Sequence, residues 1–392
     1  MKRILITGGR NPSALELVRL LYRSNVQLWL ADSMLFPVGR YSRYIAGYWK
    51  TPSVAQHPTE YLLFLKQKII HHRIDLLIPS YEEVFFLAEY ASVLEGCCEI
   101  YMDNFSKLIN LHHKAHFTDM VKGMSVSAPV TYLIDSPSEA EQFQALANDY
   151  VFKPVYSRFA THVLICPSPR QFKRLYEPKH YPWIAQKYVK GKEYCSYSIV
   201  YRGQVKAHVT YEHPYNLGRG SGIYYRVVEH PVIDSFVQEF CQKYNYHGQI
   251  GFDFMEDATG KTYVLECNPR TVNGIHLFSP EDNLLACFLG NTTSGIYPQS
   301  KTPRTNLLTF LTYNLVRAIK ERQFRQWGVD LLRAKDVIYR QDDPLPLFGQ
   351  NLTLLEFCWN SLRQRLPLAD VLSYDIAWMP NSDKNCYPRK VA

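Results

Sequence analysis

What this sequence lacks narrows it first. No uninterrupted apolar run approaches the ~18–20 residues of a membrane-spanning helix, so no membrane span is expected. None of the nine cysteines belongs to a CxxC pair, which argues against a zinc ribbon and against a thioredoxin-like redox site. Only Cys97 and Cys98 are adjacent. Scattered and odd in number, the thiols are expected to be free in a reducing, cytoplasmic setting. Ile4-Leu5-Ile6 is too short for the core of a signal peptide and ends in the turn Gly8-Gly9. There is no dense Lys/Arg block of the kind a nucleic-acid arm carries, no internal repeat and no low-complexity tract. The expected partners are therefore small molecules, with neither nucleic acid nor membrane among them.

What is present fits a globular protein. Of 392 residues, 46% are hydrophobic and 20% charged, which excludes disorder, collagen and a coiled coil. This length suits about two to four domains. Twenty-nine tyrosines point to generous cores or aromatic pockets. The net charge of +8 suits an anionic ligand, such as nucleotide or phosphate, without selecting one.

The chain opens as strand, helix, strand. Residues 4–6 and Val26 to Ala31 read as strands around a helix from Ser13 to Tyr22, where Leu15, Val18 and Leu21 recur at helical spacing. A helix from Thr59 to His72 and a strand from Ile74 to Ile78 continue the alternation, which predicts a parallel sheet. Glu82 and Glu83 then fall at a strand's carboxyl end, where open α/β sheets bind ligands. Residues 107–123 read as one helix. Beyond Pro129 strands dominate, with Arg202-Gly203 as a two-residue hairpin turn. Residues 231–245 and 307–327 read as helices. In the latter, Leu311, Leu315 and Ile319 beside Arg317, Lys320, Arg322 and Arg325 make a basic amphipathic helix expected to pack on its own lobe.

Three stretches carry chemistry. Gly251 to Met255, a turn at Asp257 to Gly260, and Thr262 to Arg270 read as a hairpin. Alternation puts Glu266 and Asn268 on one face and Leu265 and Cys267 on the other. If Asp253 shares the first face, three hard oxygen donors converge, a set that suits Mg²⁺ held partly by substrate phosphates; otherwise these are solvated carboxylates. Arg270 could clamp a phosphate or carboxylate. Lys153 ends an apolar strand ahead of a Ser157-Arg158 turn, a fair phosphate cradle, and Lys114 lies in the helix before it. Finally, the strand and turn Ala185 to Glu193 could offer backbone groups to an adenine edge and an acid to ribose hydroxyls.

Together these stretches resemble the ATP-grasp superfamily, in the lineage of biotin carboxylase and the carbamoyl-phosphate synthetase large chain, over roughly residues 1–300. The order Asp253, Glu266, Asn268, Arg270 carries its most specific motif. The resemblance implies a mixed α/β and α+β chain: a Rossmann-like domain (1–105), two β-rich ATP-grasp lobes sandwiching ATP (106–185 and 186–300) and a C-terminal mixed lobe (301–392). It implies that Asp253, Glu266 and Asn268 hold magnesium, with two ions expected and Mn²⁺ an alternative. Lys114 and Lys153 would contact phosphates, with Ser157 and Arg158 of this chain's own loop standing in as side-chain donors. Gln186, Lys187, Tyr188 and Val189 would line the adenine, and Glu193 the ribose. Arg270 would act in catalysis. Apart from the resemblance, the Gly218-Arg219-Gly220-Ser221-Gly222 loop suits an anionic group, either the acceptor carboxylate or the γ-phosphate, with Arg219 as a catalytic candidate; the alternative is a flexible turn. The implied activity is a ligase that turns a small carboxylate into an acyl-phosphate with Mg-ATP and joins it to an amine. The alternatives are a biotin-carboxylase-type carboxylase and a non-catalytic nucleotide sensor. A homodimer is compatible with it. The chain departs from the family after Lys153: residues 154–162 contain no glycine, where the family uses glycines for close backbone approach to phosphate.

Other motifs fail on spacing. Gly8 to Ala14 lacks the G-x-G-x-x-G of dinucleotide sites, and Pro12 occupies the turn. Gly260-Lys261-Thr262 has Met255 where a Walker A motif needs glycine. His112, His113 and His116 flank Lys114 and read as helix-surface histidines. Arg10, Glu82, Asn273 and His276 are candidates for the second-substrate pocket.

Overall fold

A computed structural model describes residues 1–23, 25–156, 162–177, 181–218 and 221–380. The strands β1 (Lys2–Thr7), β2 (Val26–Asp32), β3 (Gly47–Lys50), β4 (Leu76–Ile78) and β5 (Glu99–Ile100) form one sheet in the order β3-β2-β1-β4-β5. Every pairing in it is parallel. Such a sheet is covered on both faces. Leu5 and Leu77 enter one core, while Ile4, Ile6, Leu28 and Leu30 enter another with the Pro12–Leu21 helix. Asn11 starts that helix by accepting from the Ser13 N–H, and Pro12 occupies its first position, where no N–H is required.

A second sheet takes β6 (Thr131–Ile134), β7 (Tyr150–Pro154), β8 (Leu164–Ile165) and β9 (Trp183–Lys187) in the order β6-β9-β7-β8. Its core, built on Ile134, Phe152, Phe172 and Trp183, is its own. The third sheet is long and antiparallel at its centre. It includes β10 (Gly191–Tyr201), β11 (Gln204–Glu212), β14 (Tyr224–Val227), β15 (Gly248–Asp257) and β16 (Thr262–Asn268). A small pair, β12 (Asn216–Leu217) with β13 (Ser221–Gly222), lies beside it. Two short strands from beyond residue 300, β17 (Arg304–Thr305) and β18 (Lys335–Asp336), complete its edge, giving β16-β15-β10-β11-β14-β17-β18. Arg202 and Gly203 turn β10 into β11 with φ of 47° and 79°, the left-handed pair that a two-residue hairpin demands.

The third sheet shares both cores of the first. Phe236 and Phe240 of the Pro231–Lys243 helix, with Phe252 and Phe254 of β15, join the core of Leu5, and Tyr197 and Ile199 join that of Ile4. Buried ion pairs fasten the C-terminal region to the N-terminal sheet. Arg10 bridges Asp32 and Asp375, at 2.7 Å and 2.6 Å. Arg19 holds Asp343 at 2.9 Å, and Glu16 is clasped by Arg340 and His276.

Three helical expectations change. Residues 107–123 hold two helices, Phe105–His112 and Lys114–Met120, broken at His113, whose ring caps the second by accepting from the His116 N–H. His112 and His113 are buried, not on the surface. Residues 307–327 are not one helix either: a π-turn at Phe310–Asn314 precedes Leu315–Lys320, and a new helix, Phe324–Arg333, follows. The buried row lies one residue before the expected one. Phe310, Asn314 and Ala318 face the core, while Leu311 and Ile319 are exposed. The longest helix, Leu345–Gln364, has no counterpart in the sequence reading.

Candidate active site

The second and third sheets meet the first around a crevice of about 910 Å³. Its chemistry starts in the β15–β16 hairpin. Asp253 stands directly across from Glu266. A bulge follows, because Phe254 pairs with Val264 and Leu265 is left over. The bulge breaks the alternation. Val264 and Cys267 enter the core, whereas Leu265, Glu266 and Asn268 all line the crevice. The expectation that Leu265 would turn inward with Cys267 is thus corrected by one extra residue.

The Asn268 amide donates to Asp253 Oδ2 at 3.3 Å. From β10, the Cys195 thiol donates to Asp253 Oδ1 at 3.0 Å. Lys114, buried at the start of its helix, reaches 3.9 Å from Glu266 Oε2 and donates to the Val155 carbonyl at 3.2 Å. Burial and the facing Glu266 carboxylate push Asp253 well above the usual carboxylate range. Burial pushes Glu266 the same way, but Lys114 and Lys153 outweigh it and hold that carboxyl low. The two carboxyls are thus pushed apart, Asp253 upward and Glu266 downward, because two touching carboxylates repel. Two facing carboxylates and an amide oxygen are a donor set that a hard divalent cation fits, with the rest of its shell left to a ligand.

Lys153 ends β7 and lines the crevice; its ammonium donates to Gln186 Oε1 at 3.1 Å. Gln186, Lys187, Tyr188, Val189 and Glu193 line the same crevice. The Lys187 and Tyr188 N–H groups are used by Val130 and Asp149, at 2.8 Å each. Among the described residues the Val189 N–H has no such partner. The Lys187 ammonium turns away to Asp149 at 3.0 Å. Arg270 lies over the Tyr81 ring, gives its Nε to the fully buried Glu82 at 3.2 Å and another nitrogen to Asn268 Oδ1 at 3.1 Å. Burial alone would lower its pKa, and Glu82 with Tyr81 more than reverses that.

The structure brings together Lys114, Lys153, Gln186, Lys187, Tyr188, Val189, Glu193, Asp253, Glu266, Asn268 and Arg270. Ser157, Arg158 and Arg219 lie outside the described residues. Of the candidate second-substrate residues, Asn273 lines the crevice. Arg10 reaches it too, but its guanidinium is occupied by Asp32, Asp375 and Ser33. Glu82 is committed to Arg270. His276 is buried against Glu16. Sequence reasoning missed Tyr211, His213 and Tyr225 from the third sheet, and Val38, Leu308, Thr353, Leu354 and Phe357 from distant segments. Cys195 alone had a signal, since the pairing of β10 with β15 sets it opposite Asp253.

Comparison with known proteins agrees with this architecture. The family model of the ATP-grasp domain matches residues 111–274. N5-carboxyaminoimidazole synthetase from Staphylococcus aureus superposes with a TM-score of 0.63 at 14% identity, over 90% of this chain and 96% of that one. The biotin carboxylase domain of the Hydrogenobacter thermophilus 2-oxoglutarate carboxylase, solved with MgADP, ADP and bicarbonate, gives 0.58 at 14%, over 75% and 70%. An L-amino acid ligase from Bacillus licheniformis gives 0.53 at 14%, over 71% and 68%. At such identities the likeness establishes the fold. No curated protein sequence matches the chain.

Proposed function

We propose that the chain, whose residues 111–274 match the ATP-grasp domain model, is an ATP-dependent ligase that activates a small carboxylate and joins it to an amine. One observation carries this reading: Asp253 and Glu266, paired on the third sheet with Lys114 3.9 Å from Glu266, line the same crevice as Lys153 and Gln186 to Val189. On this reading the acid pair would hold the cation, the lysines the phosphates and the Gln186–Val189 stretch the adenine of a nucleoside triphosphate.

Val189 would donate its N–H to the adenine, Leu265 would pack on the ring, and Glu193 would accept from the ribose. Lys114 and Lys153 would neutralise the phosphates. Asp253, Glu266 and Asn268 would hold magnesium, one ion or two, with manganese as a substitute. The metal supplies charge neutralisation at the transferred phosphoryl group. The acceptor carboxylate oxygen bonds to the γ-phosphorus as its bond to the bridging oxygen of ADP breaks. An amine then attacks the acyl carbon, and the carbon–oxygen bond breaks to release phosphate, which takes the amine proton. Arg270, pinned by Glu82, would present its remaining N–H groups to the charge on the acyl-phosphate. The second sheet has its own core, so that lobe would be able to close on the others as a unit and exclude water.

The test is a phosphate-release screen with Mg-ATP against amino acids, small organic acids and bicarbonate. Release that needs both a carboxylic acid and an amine supports the ligase. Release with bicarbonate alone would replace it by a carboxylase. Nucleotide binding without release under any acceptor would leave a sensor.

A further inference from the structure

The Leu345–Gln364 helix is apolar on two opposite sides, and the described chain covers one of them. Pro346, Gly349, Thr353 and Phe357 face inward. Seating is tight: a Cβ at Gly349 would meet the Tyr41 ring at 2.2 Å, Thr353 donates to the Phe36 carbonyl at 2.7 Å, and the Glu356 carboxylate accepts from the Leu35 and Phe36 N–H groups at 2.8 Å. The helix therefore cannot roll to hide its other side. That side carries Leu345, Phe348, Leu352, Leu355, Trp359 and Leu362, between 39% and 75% exposed. Their spacing alternates three and four residues, which is the seam of a helix pair. A helix apolar all round is normally buried all round.

We propose that this face is the interface of a homodimer, in which the helix pairs antiparallel with its copy across a two-fold axis. Self-complementarity selects the occupant. Reversing the helix about its midpoint sets Leu345 against Leu362, Phe348 against Trp359 and Leu352 against Leu355 of the second copy, so each large group meets an apolar one and the contact is isologous. Charge does not oppose it, because the helix holds one acid, committed inward, and one base, Arg363. The exposed parts of the six side chains come to roughly 700 Å² per protomer, near the ~800 Å² per partner of a standard interface. A membrane surface is a poorer match, since helices that lie on lipid carry several Lys/Arg on the polar face. Residues 381–392, with Asp383, Lys384, Arg389 and Lys390, are too polar to cover such a seam. On its inner side the helix lines the crevice through Gln350, Thr353, Leu354 and Phe357, so the dimer would brace one crevice wall.

Sedimentation velocity of the full chain tests this. The native protein is expected to be a dimer at micromolar concentration. Leu355→Lys and Leu352→Glu are each expected to weaken it by on the order of 100-fold or more, because a two-fold axis counts every substitution twice. Both residues are exposed, and a cooperative thermal melt with parent-like circular dichroism shows that each variant folds; Leu362→Glu, at the helix end, is the reserve. Mixing the Leu352→Glu and Leu355→Lys variants is expected to restore a dimer, since only antiparallel pairing brings the introduced carboxylate of one copy against the introduced ammonium of the other. A native monomer, a variant that remains a dimer, variants that do not rescue one another, or a monomer that floats with phosphatidylglycerol-containing vesicles would each overturn the proposal.

Discussion

Asp253→Asn separates the cation role of the acid pair from any structural one. In the ligand-free chain Asp253 and Glu266 are in side-chain contact, and burial with the facing carboxylate raises the Asp253 carboxyl. Two ionised carboxylates at ~4 Å and an effective dielectric of ~20 would repel by ~4 kcal/mol, which is why Asp253 gives up its proton only at higher pH. Asparagine copies the shape of the protonated acid and carries no charge. An acid whose native pKa exceeds its unfolded value makes the native state the better proton binder, so stability falls as pH rises from the usual carboxylate range through the native pKa. The variant lacks that decline and should unfold at no lower urea concentration than the parent at pH 8. Its response to ligand should be lost. Mg-ATP at a hundred times its dissociation constant stabilises a binding protein by ~2.7 kcal/mol. The parent should show that rise in urea titrations, and the variant should show little of it. Turnover should drop by about 10²–10³-fold, the usual effect of removing one electrostatic contact to a transition state. A variant that keeps both the Mg-ATP shift and its turnover refutes the metal assignment. One that unfolds well below the parent without ligand refutes the repulsion.

Three further outcomes follow from the geometry. Lys153→Met should weaken ADP binding by about 10–100-fold in calorimetric titration, the value of one charge-assisted contact; unchanged affinity would remove Lys153 from the phosphate site. Leu265→Ser should lower nucleotide affinity while leaving the melting temperature almost unaltered, because the bulge aims Leu265 into the crevice; a loss of more than ~2 kcal/mol of stability would mean a core position. Burial would raise the Glu16 carboxyl, but Arg340, His276 and Arg19 outweigh it and hold it at about 2. Stability from Glu16 is therefore complete above the ordinary carboxylate range and drains away between about pH 4.5 and 2, by ~3 kcal/mol. Urea midpoints at pH 5 and pH 2.5 should differ by less in Glu16→Gln than in the parent, and an equal difference would contradict the assignment.

Local pattern made much of this protein legible. The alternation of strand and helix up to Ile78, the Arg202-Gly203 turn and the Asp253 to Arg270 hairpin each depend on neighbours along the chain, and each stands where the sequence put it. So does the convergence of Asp253, Glu266 and Asn268, since strand pairing follows from a short turn. Pattern failed at Leu265, where a bulge adds a residue and shifts the phase, and at Leu311 and Ile319, where the neighbouring polar-and-apolar row Phe310, Asn314 and Ala318 packs inward instead.

By itself the sequence determined the order of elements and the acid pair, because these rest on periodicity and on one local hairpin. Tertiary structure alone decided the rest. It committed Arg10 to Asp32 and Asp375, 22 and 365 residues away, turned Glu82 into the anchor of Arg270 from 188 residues off, and built the crevice's apolar end from segments as distant as Val38 and Phe357. Which charge meets which in a low-dielectric interior depends on how the sheets close over one another, and no local pattern records that.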